Sequence, residues 1–122
     1  MVDKILQIYF YKLPSGKEPV REFLKDLPKL DRVKVGALLH QLQLKHFLNM
    51  PHAKCLKNKL WELRVAAEKG QIRIFYFCSV REMIFLLHSF IKKSQKTPES
   101  EMELAMERKR YVEIMESKHE KK

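Results

Sequence analysis

Two β-rich segments joined by a short turn constrain the fold of this chain most. Residues 61–65 (WELRV) alternate between apolar and polar side chains, and residues 72–77 (IRIFYF) form a second β-rich segment. The tetrapeptide between them, residues 67–70 (AEKG), ends in glycine, which suits a tight turn. A period of two is that of a β-strand, so the pattern predicts two antiparallel strands joined as a hairpin.

The remaining elements follow from apolar spacing and from proline and glycine. The predicted elements are a strand over residues 4–12, a short helix from Pro19 that stops before Pro28, a longer helix over residues 29–48, a last strand over residues 83–91, and a helix from about Pro98 to about Met115 with Thr97 as its N-cap. The wide apolar stripe of the second helix predicts that it covers the sheet, and residues 117–122 are expected to fray.

This order of elements predicts one α+β domain over residues 1–122. A helical pair would pack on a small, mostly antiparallel four-stranded sheet, with a further helix at the C-terminus. A chain of 122 residues buries enough surface for a core without metals or disulfides.

Charge indicates the kind of partner. The chain has 25 Lys and Arg against 15 Asp and Glu, a net charge of +10 that favours polyanions such as nucleic acid or an acidic membrane surface.

Cys55 and Cys78 have no paired spacing, so a disulfide framework and a zinc site are not expected and a reducing cytoplasm is the default. The sequence has no long apolar segment typical of a signal peptide or membrane span.

Several enzyme classes lack their signatures here. The five histidines are scattered and none stands in an H-E-x-x-H pattern, so no metal site is expected. No serine lies in G-x-S-x-G, and Gly16, Gly36 and Gly70 are too far apart to form a phosphate-binding loop. We therefore expect no cofactor.

Cationic residues within the predicted strands are the main candidates for function. Arg64 and Arg73 would converge on one face of adjacent strands, with Lys92 and Lys93 close by. Like charges side by side repel, so the arrangement calls for a carboxylate or an anionic ligand between them. Further lysines lie before and after these strands, at Lys54, Lys57, Lys59 and Lys96.

Ordinary structural roles are the alternative for each of these residues. Arg64 could pair with Glu62 or with a glutamate of the last helix, and the lysines could form a solvated rim. His88 lies in an apolar segment, where a hydrogen-bonded core histidine is the more common case.

Three motifs are distinctive in combination: residues 60–64 (LWELR), 73–77 (RIFYF) and 86–98 (LLHSFIKKSQKTP). Together they resemble the phage-derived branch of the RelE/HigB toxin superfamily. The resemblance spans residues 54 to about 110 well and the first half of the chain only in layout. It implies a compact antiparallel sheet with helices on one side, a partner antitoxin that would form a hetero-oligomer with this chain, and cleavage of messenger RNA in the ribosomal A site.

The resemblance also implies roles for individual residues. The RNA 2′-hydroxyl would attack the adjacent phosphate without a metal, with Arg73 clamping that phosphate, Arg64 beside it, and Lys92 and Lys93 in the basic stretch after the last strand. The other lysines would lie on the RNA-approach surface: Lys54, Lys57, Lys59 and Lys96. No tyrosine stands in the first turns of the last helix, so His88 or a lysine would transfer protons.

Two other functions are compatible with this sequence. One is a ParE-like toxin that inhibits gyrase, although a protein-binding inhibitor does not need the Arg64 and Arg73 pair. The other is a basic nucleic-acid-binding module without activity, which predicts salt-sensitive binding and only a modest effect of Arg73→Ala.

Overall fold

The computed structural model describes residues 4–93 and 98–120, the side chains as far as residue 118. In chain order its elements are β1 (Gln7–Phe10), α1 (Pro19–Lys25), α2 (Lys29–Lys45), β2 (Ala53–Cys55), β3 (Trp61–Ala67), β4 (Gly70–Cys78), β5 (Met83–Lys92) and α3 (Glu99–Glu120). The α+β class and the order of the predicted elements are confirmed. Thr97, the predicted N-cap, lies outside the described residues.

The sheet has five strands in the order β1-β5-β4-β3-β2, where four were predicted. The additional strand is β2, which pairs antiparallel with β3. It has only three residues and no alternating pattern, so it could not be recognised as a strand from the sequence. The sheet is also mixed, because β1 pairs parallel with β5 while the other neighbours are antiparallel.

Helices cover both faces of the sheet. On one face the core joins strand residues such as Leu63 and Ile74 to Val35 and Leu42 of α2. On the other face Phe75, Phe77 and Leu87 pack with Ala105 and Val112 of α3. The expectation from the resemblance that the helices lie on one side of the sheet is therefore wrong. Residues 72–77 of β4 are all buried, and a strand that is buried on both faces must be covered on both faces.

Only part of the apolar surface of α2 faces the sheet. Val35, Leu39 and Leu42 are buried, whereas Leu30 and Val33 are exposed. The helix ends at Lys45 because His46 takes a left-handed conformation with φ of 69°, a common way to end a helix. The wide apolar stripe predicted from the sequence thus consists of two faces of α2, one packed on the sheet and one exposed to solvent.

α3 continues to Glu120, beyond the predicted end at about Met115. Residues 117–120, for which the sequence predicts fraying, are helical in the structure. The helix is held at mid-length, where the Arg108 Nη1 donates to the Leu87 carbonyl at 2.8 Å and the Lys109 ammonium lies 5.1 Å from the Phe77 ring centre. No helix in the described parts of the chain is long and apolar enough to cross a membrane.

Candidate functional site

The candidate site lies on the face of the sheet that α3 covers, toward the turn that joins β3 to β4. Arg64 of β3 lies directly opposite Arg73 of β4, and Arg73 in turn lies opposite Phe90 of β5. In the next row toward the turn, Gln71 lies opposite Lys92. The structure therefore brings Arg64, Arg73 and Lys92 together, as the hairpin pattern predicts.

A buried carboxylate joins the two arginines. The Arg73 Nη1 and the Arg64 Nε both donate to Oε1 of Glu62, at 2.8 and 3.1 Å. Glu62 has no exposed surface, and Lys54 lies opposite it in β2. We call these five residues the Glu62 cluster: Lys54, Glu62, Arg64, Arg73 and Lys92. The alternative in which Arg64 pairs with Glu62 is therefore present in the structure.

The two arginines differ in their access to solvent. Arg73 is 5% exposed, and its Nη2 donates to the side-chain oxygen of Gln71. Its Nε is buried and has no hydrogen-bond partner among the described residues. The Arg64 side chain is 23% exposed. An anion approaching this face meets Arg64 first, with Arg73 behind it.

Lys92 is buried at the end of β5, close to the other cations of the cluster. Burial lowers the pKa of Lys92, and the positive charges of Arg73, Arg64 and Lys54 lower it further, while the Glu62 charge opposes the shift. The neighbouring strand approaches closely because Gly70 has no side chain. A Cβ at Gly70 would lie 2.8 Å from the Lys92 carbonyl oxygen, and the φ of Gly70 is +142°.

His88 occupies an aromatic position beside the cluster. Its ring stacks against those of Phe75 and Phe90, with ring centres 6.3 and 6.0 Å away, and the two phenylalanine rings also contact each other, with centres 5.8 Å apart. Its Nε2 lies 3.2 Å from Oε1 of Glu101 on α3, and its side chain is largely buried. The hydrogen-bonded histidine considered from the sequence is thus what the structure shows.

The remaining predicted lysines are dispersed. Lys93 is exposed directly after β5, next to the cluster. Lys57 and Lys59 lie in the turn between β2 and β3, toward the other end of the sheet, where Lys59 lines a pocket with Cys78 and Lys109. Lys96 lies outside the described residues. The structure does not bring Lys57 and Lys59 to the Glu62 cluster.

Sequence reasoning missed two partners in this region. Gln71 accepts from Arg73, and its position two residues earlier on the same strand, hence on the same face, was the available signal. Glu101, which holds His88, had no local signal, because the contact depends on how α3 folds back onto the sheet after β5.

The arrangement suits an anion with two or more negative oxygens. Four cations surround one carboxylate, and aromatic rings line the neighbouring row. Preorganised cations around a phosphate stabilise negative charge that develops during reaction at phosphorus. Within residues 4–93 and 98–120, no group of three or more His, Cys, Asp or Glu side chains could hold a metal ion.

Comparisons with known proteins give the family. The search of curated proteins found no match. The family described as phage-derived protein Gp49-like (DUF891) matches residues 22–110, a range that runs from α1 into α3 and contains the whole Glu62 cluster. This family is associated with the toxins of toxin–antitoxin systems. Because the match covers most of the sequence, the chain belongs to the Gp49-like family of phage-derived proteins.

Proposed function

We propose that this protein is the toxin of a toxin–antitoxin system, related to the RelE/HigB toxins, and that it cleaves messenger RNA at the ribosome. The observation that supports cleavage is the convergence of Arg64 and Arg73 on one buried carboxylate, with Lys54 and Lys92 around them. The family match supports the toxin assignment. In this proposal the protein works in the cytoplasm and is held inactive by its antitoxin.

In the proposed reaction the RNA supplies its own nucleophile. The 2′-oxygen loses a proton and attacks the adjacent phosphorus, the bond from phosphorus to the 5′-oxygen breaks, and the 5′-oxygen takes up a proton. The products are a 2′,3′-cyclic phosphate and a 5′-hydroxyl. The partly exposed Arg64, with Lys54 and Lys93, neutralises the phosphate oxygens, and Arg73 holds Glu62 and Arg64 in position from behind.

Lys92 and His88 are the proposed proton-transfer residues. The pKa of Lys92 is lowered by burial and by neighbouring cations, which makes its ammonium a stronger acid than that of an ordinary lysine. His88 is the second candidate, since Glu101 on Nε2 fixes the orientation of its ring. Glu62 is poorly placed for this task because two guanidinium groups already donate to its Oε1.

A nucleic-acid-binding module without activity is the second candidate. The observation in its favour is the burial of Arg73, whose two Nη atoms already donate to Glu62 and Gln71. In such a protein the cluster would bind phosphate without stabilising a transition state.

The decisive experiment is induced expression in a bacterial host, with growth and the 5′ ends of transcripts followed together. Wild type is compared with Arg64→Ala and with Arg81→Ala, an exposed arginine in the turn between β4 and β5. The proposal predicts arrest with new cuts inside translated codons for wild type and Arg81→Ala, and neither effect for Arg64→Ala. Arrest without cuts would point to a gyrase-type toxin, and no arrest by wild type would favour the binding module.

A further inference from the structure

The outer face of α2 carries large apolar side chains in solvent. Leu30 is 68% exposed, Val33 57% and Leu44 42%, and Phe47 and Met50 just beyond the helix are exposed as well. Single exposed apolar residues are normal, but a group of them on one side of one element usually marks an interaction surface.

These residues share one side of the helix. Leu30, Val33, Ala37 and Leu44 recur at intervals of three, four and seven, which places them on one face at 3.6 residues per turn. The core residues of α2 lie on the opposite side of the helix, at Val35, Leu39 and Leu42. We call the row of Leu30, Val33, Ala37 and Leu44 the outer stripe. It spans about 21 Å, since a helix rises about 1.5 Å per residue.

Charge around the outer stripe selects the kind of partner. Lys29, Arg32, Lys34 and Lys45 of α2 are exposed, and the one acid among its 17 residues, Asp31, is buried. A second copy of this chain would bring like charges together across such a contact, which disfavours self-association. An acidic amphipathic segment has the complementary charge.

Space at the edge of the outer stripe favours a helical partner. Gly36 is exposed, and a Cβ placed there would contact nothing within 4 Å. A small residue beside an apolar row lets the backbone of a partner approach closely. Helices commonly dock on such surfaces through apolar residues at one-turn spacing.

We propose that the outer stripe of α2 is the docking site for an acidic amphipathic helix of the antitoxin. The inference rests on the proposed function, because that function supplies the partner. The partner helix would extend over about four turns and place apolar residues on the stripe and Asp or Glu beside Lys29, Lys34 and Lys45. The site lies on the face of the sheet opposite the Glu62 cluster.

The test uses the full chain and the product of the reading frame adjacent to its gene. Val33→Asp is compared with Val80→Asp, since both valines are exposed and neither substitution removes a core contact. The affinity of each for the purified neighbouring product is measured by calorimetry, and growth is followed with and without co-expression of that product. Loss of an interface anchor should weaken binding roughly 10- to 30-fold for Val33→Asp and leave Val80→Asp unchanged.

A second variant tests charge complementarity. Lys34→Glu should weaken binding and also reduce its dependence on salt concentration, because a screened attraction is replaced by repulsion. Circular dichroism of each variant checks that the fold is retained.

The outcomes separate the docking site from the toxin assignment. The docking site is supported if both valine variants arrest growth and the neighbouring product rescues Val80→Asp but not Val33→Asp. Equal rescue of both variants, or no binding of the neighbouring product to wild type, overturns it while arrest alone still supports the toxin. If wild type causes no arrest, the proposed function fails, and the difference in affinity between the valine variants still decides whether the stripe is a docking surface.

Discussion

Arg64 and Arg73, directly opposite each other on β3 and β4, donate to the same oxygen atom, Oε1 of Glu62. Two like charges in register on neighbouring strands are destabilising by themselves. The buried carboxylate between them makes the pair tolerable, but one negative charge cannot neutralise two guanidinium groups. Positive charge therefore remains in the Glu62 cluster, which is what the proposed binding of a phosphate requires.

Glu62→Gln should strongly destabilise the protein. The amide keeps the shape of the side chain but leaves the buried Arg73 without its counter-charge, and breaking a buried ion pair in this way costs about 3–5 kcal/mol. Urea unfolding measures the change in the free energy of unfolding. Inorganic phosphate should stabilise the variant more than wild type, since an anion can take the place of the lost charge.

The control for this prediction is Glu107→Gln, an exposed glutamate of α3. Surface changes of this kind stay within about 0.5 kcal/mol. If Glu62→Gln were equally mild, the charge of Glu62 would not be holding the cluster together.

Replacing the two arginines should separate function from stability. Arg64→Ala leaves Glu62 bonded to Arg73 and removes a partly exposed pair, so the loss should be about 1 kcal/mol or less. Arg73→Ala removes the buried partner and should cost about 3 kcal/mol. Unfolding curves combined with the growth assay check this, since Arg64→Ala is expected to fold well and yet lose the arrest. Similar losses of stability in the two variants would contradict the division of roles.

Gly70→Ala should destabilise the hairpin that positions Lys92. The new Cβ would clash with the Lys92 carbonyl oxygen, and the positive φ of Gly70 is unfavourable for alanine, so the loss should exceed about 1 kcal/mol. Gly36→Ala is the matched control and should have the opposite sign: in a helix with open space around it, alanine stabilises by about 0.5–1 kcal/mol. Thermal unfolding of the two variants compares them directly.

The parts of the fold that the sequence predicts are those with local signals. The β3–β4 hairpin combines alternation with a glycine turn, so its register, and with it the Arg64 and Arg73 pair, could be predicted. The pairing of β1 with β5 could not, since it joins residues more than 70 positions apart and depends on how the whole chain closes. β2 was missed because three residues cannot display a period.

The burial of individual side chains was harder to predict than the register of the strands. The sequence places Arg73 on the same face as Arg64, but its burial depends on neighbouring strands and on Gln71. Likewise, apolar spacing in α2 cannot tell the face that packs on the sheet from the face left in solvent, because Leu30 and Leu39 look alike in the sequence.

Lys92 should make a contribution to stability that rises with pH in the alkaline range, opposite in sign to the contributions of Cys78 and Tyr76, whose pKa values are raised by burial. In the unfolded chain Lys92 has its ordinary pKa of 10.5, whereas burial and the nearby cations lower it in the fold. Between the two pKa values the unfolded chain binds more protons, so the free energy of unfolding increases with pH. Below the folded pKa both states are protonated and this contribution is constant. Lys92→Met removes this titration, so the free energy of unfolding of wild type should rise with pH relative to that of the variant, while Lys93→Met, at an exposed position, should follow wild type. Urea unfolding from pH 7 to 10.5 measures it, and the same slope in wild type and Lys92→Met would mean that the fold does not perturb this ammonium group.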